Sequence, residues 1–301
     1  MARAWWTPVR LAEPFFLRNL VVFPLVGPGD NGTYCSLQEA LQSQEARLLD
    51  TEDIQEVVLQ YRGNQPLVMM EGEEVLGARQ NRVFVTTLVA ERPVETRVPV
   101  VCVEQGRWSG GTTFRPSDTV AYPSLRAILS SSVFRNLTHT QEYQADQAAV
   151  WDSVRTTLSR LQVHSQTQSL HDSFEQLQDF LEDYLEDARF PEDTRGLVSL
   201  AGGRILGLDL FASPALFQKF QRWILRGYTL EAVMLMHQST PYPDPEGVER
   251  FLETVQRLPY RRFPGVIHGE EHRALAHGVA ARATVHRQHL VHLSAFPVAA
   301  A

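Results

Sequence analysis

The chain has 301 residues, 44% of them hydrophobic and 21% charged, with a net charge of −7. That balance is ordinary for a folded protein of one large domain or two small ones; it gives no overall pull toward nucleic acid or an anionic membrane, although a local basic patch is compatible with it. No run approaches the roughly 18 apolar residues of a membrane helix, the N-terminus lacks the continuous apolar core of a signal peptide, and the two cysteines, Cys35 and Cys102, have no metal-type spacing, which argues against a disulfide framework and for a reducing, cytoplasmic setting.

The first third reads as strands. NLVVFPLV (19–26) is an apolar run ending at the GPGDNG turn, and SLQEALQS (36–43) opens with Ser36 and Glu39 at capping-box spacing, the signature of a short helix. Five runs rich in Val, Leu and Thr follow at short spacing up to Gln105, which favours antiparallel pairing. RWSGGTTFRPSDTVAYPS is polar, rich in Gly and Pro, and long for a connection, so it is expected to be a functional or a disordered loop. The middle is helical: 146–161 sets Val150, Trp151, Val154, Leu158 and Leu161 on one face, and 169–187 sets Leu170, Phe174, Leu177, Leu181 and Leu185 on one stripe opposite an acidic, solvated face. Residues 194–211 read as a hairpin turning at Ala-Gly-Gly. Two helical segments joined by the Pro-rich connector QSTPYPDPEG come next, and strand-like alternation returns from Phe263. Strands from both chain ends with helices between them predict a single interleaved α+β domain over 1–301 with a mainly antiparallel sheet, the alternative being an internal boundary near 110–140.

Chemistry concentrates in two stretches. GEEVLGARQNR (72–82) packs two carboxylates, two glycines and four adjacent polar residues between strands, more than a turn requires. VPVVCVEQGRW (98–108) also ends an apolar strand in a carboxylate, an amide, a glycine and an arginine. If the two are neighbours, Glu73, Glu74, Arg79, Gln80, Arg82, Glu104 and Arg107 gather near one edge. There Glu104, Glu73 or Glu74 would be the general acid or base. Arg79, Arg82 and Arg107 would hold anionic groups, Gln80, Asn81 and Gln105 would orient a ligand, and Trp108 could stack on a base or sugar. The bland reading of the same residues is an ion-pair network that ties a loop to a sheet.

These two stretches, with Asp146, Gln147, Val150 and Trp151 as a third element, resemble the paired signature of a domain family named for its association with ADP-ribosylglycohydrolases and rhodanese-type phosphatases. The resemblance runs over most of the chain. It implies a link to ADP-ribose, NAD or nucleic-acid-end processing, and with it a nucleotide- or sugar-phosphate-like small ligand. The family pattern often has Lys where this chain has Arg79, which implies a permanent cation rather than a base. It has Ser where this chain has Val101, which removes a serine nucleophile there. Cys102, flanked by valines, reads as an inert core thiol.

Six of the ten histidines (His268, His272, His277, His286, His289, His292) lie near the C-terminus. On one strand His286 and His292 would share a face and His289 would oppose them. HGEEH (268–272) has the wrong order for a zinc-binding helix, so no metal site is expected, and the cofactor is left open. P-loop, dinucleotide-binding and nucleophile-elbow patterns are absent. Three functions stay open: an enzyme acting on a phosphate- and sugar-bearing ligand, a non-catalytic module that binds one, or a structural protein. Carboxylates consumed by arginine and backbone donors would favour the last.

Overall fold

The structure, a computed structural model, describes residues 5–30, 32–51, 53–238 and 244–299. Residues 1–4 of the N-terminal segment and 239–243 of the Pro-rich connector lie outside the described residues. Short apolar runs and their breakers set the elements. The chain begins with β1 (Arg10–Leu11), β2 (Phe15–Leu17), β3 (Leu20–Val26) and β4 (Cys35–Ser36). Ser36 and Glu39 close a capping box on α1 (Leu37–Gln42). Next come β5 (Ala46–Asp50), β6 (Glu56–Tyr61), β7 (Leu67–Met69), β8 (Glu73–Gly77), β9 (Arg82–Phe84), β10 (Leu88–Ala90), β11 (Val94–Cys102) and β12 (Phe114–Val120). The helical middle holds α2 (Pro123–His139), α3 (Gln147–Arg160), α4 (Leu170–Gln176) and α5 (Gln178–Leu185). The hairpin β13 (Thr194–Ala201) and β14 (Arg204–Phe211) leads to α6 (Pro214–Met234) and α7 (Pro245–Arg257), and β15 (Arg261–Pro264), β16 (Glu270–Ala276), β17 (Val279–His286) and β18 (His289–Pro297) close the chain. The fold is α+β and mostly antiparallel, and the parallel pairing of β4 with β7 is the exception among the described residues.

Both chain ends meet in one nine-stranded sheet, ordered β1-β3-β13-β14-β18-β17-β16-β15, with β2 also on β3. The amphipathic α7 covers one face through Val248, Phe251 and Val255. On the other face α6 packs Phe217, Phe220 and Tyr228 against Phe211. The six strands β12-β8-β9-β11-β6-β5 form a second sheet. Leu49 bridges Thr113, and the Asp50 N–H donates to the Thr112 carbonyl at 2.8 Å, so its two outer strands meet and the sheet closes into a small barrel. Leu48, Leu59, Val75, Phe84 and Val100 fill its interior. No described helix is long and apolar enough to cross a membrane.

Three expectations change, and one helix is added. The polar stretch 107–124 is not a loop throughout: β12 occupies Phe114–Val120, and the pattern was hidden because Ser117 and Thr119 point inward to hydrogen-bond Glu74. The sequence did not mark α2, because Arg126, Ser130, Ser131 and Ser132 are buried and blur its apolar stripe. Residues 169–187 make two helices broken at Leu177, not a continuous stripe. His286 and His292 do not share a strand. The chain turns at Arg287 and Gln288, both with positive φ, so His286 pairs with His289 and His292 with Thr284.

Candidate functional site

The two motif stretches meet at one mouth of the barrel. There β8 ends, β9 begins and β11 ends, with Val101 opposite Val83 and Cys102 opposite Arg82. The loop between β8 and β9 is locked from the other motif. Arg107 donates to the carbonyls of Ala78 (2.7 Å) and Gly77 (3.3 Å) and to Asn81 Oδ1 (3.1 Å). Asn81 also accepts from the Gly77 N–H at 3.0 Å and donates to Ser169 at 3.3 Å.

Glu104 is the keystone of this knot. Its Oε1 accepts from Arg107 Nε and Thr167 Oγ1, both at 2.8 Å, and its Oε2 from Arg107 Nη2 at 2.6 Å and the Asn81 N–H at 3.0 Å. Four donors use the roughly four lone-pair directions of a carboxylate. Burial raises the Glu104 pKa, but the hydrogen bonds from Arg107, Asn81 and Thr167 outweigh it and hold the carboxyl below its ordinary value. A carboxylate so placed is a poor proton acceptor.

Glu73 and Glu74 lie at the opposite end of β8, and the structure does not bring them to the arginines. Glu73 is buried and accepts from the Met70 N–H at 2.9 Å; burial pushes its carboxyl up to about 8. Glu74 Oε2 accepts from Ser117 (3.0 Å) and Thr119 (2.6 Å) and meets His171 Nδ1 at 2.9 Å.

The arginine side of the site is the mouth itself. Arg79 Nε donates to Asp50 Oδ2 at 2.8 Å, and its Nη2 to the Thr51 carbonyl. With Asp53, Arg97 and Gly110–Thr112 they line an open cleft of about 770 Å³. Gln80 is fully buried and Arg82 is 1% exposed. Arg82 Nη1 donates to Gln80 Oε1 at 3.2 Å and weakly to the Asn81 carbonyl at 3.4 Å. Burial lowers the Arg82 pKa, the nearby Cys102 and Asp50 raise it, and Arg79 and Arg107 lower it. Trp108 is 59% exposed on the loop before the glycines, and Gln105 is half-buried. Cys102 is fully buried and burial pushes its thiol up, as an inert core position requires.

The sequence model of the ARG and Rhodanese-Phosphatase-superfamily-associated Protein domain, ARPP-1, matches residues 8–296. The chain belongs to that family. Neither a curated protein nor a solved structure matches it. The name ARPP-1 records an association with ADP-ribosylglycohydrolase and rhodanese-phosphatase enzymes. The match takes in both the barrel and the nine-stranded sheet.

This ARPP-1 chain also holds polar residues whose roles the sequence did not mark. Asp50 is the partner of Arg79 and the far wall of the cleft. Between barrel and large sheet lies a buried ionic core. Arg126 on α2 forks onto Asp209 at 2.8 and 2.6 Å and reaches Glu71 at 3.2 Å. Asp209 also receives Tyr228 and faces His292 Nε2 at 2.9 Å. Arg282 donates to Glu271 at 2.9 Å and to Thr87 at 2.7 Å, and Arg273 stands 3.0 Å from Glu271. Three carboxylates meet three guanidiniums here, and burial pushes the His292 imidazole down to about 4, so it sits neutral. Every one of these groups is closed off from solvent, so the core is a joint rather than a ligand site. The only signal in the sequence is a charge at an inward position of an apolar strand, as in ILGLDLF.

Proposed function

We propose that the protein binds a small ligand bearing both phosphate and sugar, of the ADP-ribose or nucleotide kind, in the cleft at the barrel mouth, and that the site binds this ligand without transforming it. One observation carries the reading: the first motif presents a part-exposed arginine, Arg79, to that cleft, and Arg107 and Glu104 of the second motif hold the loop that carries it. Arg79 and Arg97 suit phosphate oxygens, and Asp50 and Asp53 suit a ribose diol. Gly111 lets a ligand approach the backbone, and the exposed Trp108 offers a stacking face for a base. Glu104 supports binding over chemistry, since all its acceptor capacity is used within the fold. The reading goes with a cytoplasmic setting, where Cys35 and Cys102 stay free thiols.

Calorimetric titration with ADP-ribose, ADP, AMP and adenosine tests it. The phosphate-bearing ligands should bind and remain chemically unchanged. Trp108→Ala should weaken the adenine-bearing ones by about 1–3 kcal/mol, the usual loss of one base–aromatic stack. Silence from all four ligands would sink the reading, and turnover of ADP-ribose would sink its non-catalytic half.

An acid–base reading keeps one observation in its favour. Glu74 is buried and orients the part-exposed His171; burial lowers the imidazole pKa, but the Glu74 hydrogen bond and charge outweigh it and raise it overall. If this dyad works on a substrate, His171→Asn abolishes turnover and leaves the fold intact.

A further inference from the structure

Three buried polar atoms at this mouth of the barrel have no partner among the described residues. Gln80 leaves Nε2 without an acceptor, Arg82 leaves Nε without one, and Asp50 leaves Oδ1 without a donor. All three belong to side chains that are at least nine-tenths buried. Topology sets Asp50 and Arg82 at the same mouth, since Asp50 ends β5 and Arg82 begins β9. Leu48 and Phe84, two residues from each, face the barrel interior, so Asp50 and Arg82 point inward as well.

Buried polar groups in folded proteins are nearly always paired, and an unpaired buried charge is the costliest exception. Among the described residues no carboxylate forms an ion pair with Arg82; Asp50 is near enough to favour its charge, and Arg79 and Arg107 are near enough to oppose it. Arg79, Arg97 and Arg107 at the mouth each have a carboxylate partner, Arg82 has none among the described residues, and two donors, Gln80 Nε2 and Arg82 Nε, are unused.

We infer that Gln80 and Arg82 form an oxyanion subsite at the inner end of the cleft, which takes the oxygens of a phosphate group, with the Arg79–Asp50 pair as its gate. This rests on the binding function proposed above and extends it inward. The gate opens by exchange of partners. Arg79 is 41% exposed along its side chain, and an ion pair half in water opens at small cost. An entering phosphate takes Arg79 from Asp50 and replaces one ion pair of Arg79 by another. Asp50 is then free to accept from a ligand hydroxyl. The ligand chemistry is a phosphate oxyanion, either free phosphate or the phosphoryl end of a sugar phosphate.

The test uses the full chain, an arginine-specific dicarbonyl reagent and peptide mass spectrometry, with inorganic phosphate, ribose 5-phosphate and ADP-ribose as probes. Arg82 should label slowly, and more slowly still with inorganic phosphate present. Gln80→Glu, which sets a carboxylate beside Arg82, should raise the melting temperature and abolish the phosphate protection. Protection by ribose 5-phosphate at much lower concentration than by inorganic phosphate supports a sugar phosphate as the occupant, and equal protection supports the free anion. A lower melting temperature in Gln80→Glu overturns the missing counter-charge. If phosphate fails to protect Arg82 while ADP-ribose still binds by calorimetry, the inner subsite falls and the cleft stands. If ADP-ribose does not bind either, both fall.

Discussion

Glu73 shows how much one buried carboxyl can weigh. Burial holds it protonated, with its titration pushed up to about 8, whereas an unfolded chain ionises a glutamate near about 4.3. The folded state therefore keeps a proton that the unfolded state releases. Stability is full below the unfolded value and falls as pH rises toward 8, by about 1.4 kcal/mol per unit. Glu73→Gln keeps the acceptor for Met70 and removes the titration. It should stabilise the protein by roughly 3–5 kcal/mol at pH 8 and by almost nothing near pH 4. Urea unfolding at the two pH values checks this, and identical pH profiles for variant and parent would show that Glu73 is ionised in place. His292 works at the other limb: held neutral down to about 4, it withdraws stability as pH falls from about 6.5 to 4. Arg79, Gln80 and Arg82 could be picked out as ligand-binding candidates because they crowd a turn. Their division of labour was not legible, because Asp50, the partner of Arg79, lies 29 residues away.

Among the elements, the loop from Trp108 to Thr112 is the one the site depends on most. Arg107 and the strand β12 hold its ends, and Gly110, at φ 157°, holds its middle against the neighbouring turn. A Cβ there would lie 1.8 Å from the Ala78 carbonyl oxygen. Gly110→Ala should therefore push the loop off the β8–β9 turn, at a cost of about 1–3 kcal/mol, and weaken ADP-ribose binding. Melting and titration together are the check: lost stability with unchanged affinity would mean that the loop is no wall of the site. Strands were legible from the sequence where they were uniformly apolar, as in β3. They were illegible where a polar side chain turned inward, as Ser117 and Thr119 do in β12. The same physics hid α2, the helix that delivers Arg126.

Across the whole molecule, the ionic core joins parts that the sequence keeps far apart. Glu71 and Thr87 come from the barrel segment, Arg126 from α2, and Asp209, Glu271, Arg282 and His292 from the large sheet. We propose that this joint makes the chain unfold as one unit. Arg126→Met should cost about 3–5 kcal/mol, because Glu71 and Asp209 are left buried without their cation. Near- and far-ultraviolet circular dichroism should follow coincident single transitions in the parent. Two separated transitions would show barrel and sheet to be independent. The α+β character of the chain could be read from its order of strands and helices. The joint could not, because each of its charges looks like a surface charge in its own stretch of sequence, and the pairing Arg126–Asp209 spans 83 residues.

The position of β3 in the large sheet bears on how the protein is made. Val21 pairs with Leu200, so a strand from the start of the chain waits for a partner made about 180 residues later. At about 5–20 residues per second, that wait on the ribosome is roughly 10–35 seconds. The barrel strands, all near neighbours in sequence, can begin to pair meanwhile. Apart from the short strands β1 and β2, the apolar LVVFPLV has no partner until the hairpin of β13 and β14 emerges. A ribosome-bound nascent chain stopped before residue 194 should thus carry an N-terminal strand that chaperones still bind, and should gain protease resistance only once Asp209 and the later strands are made.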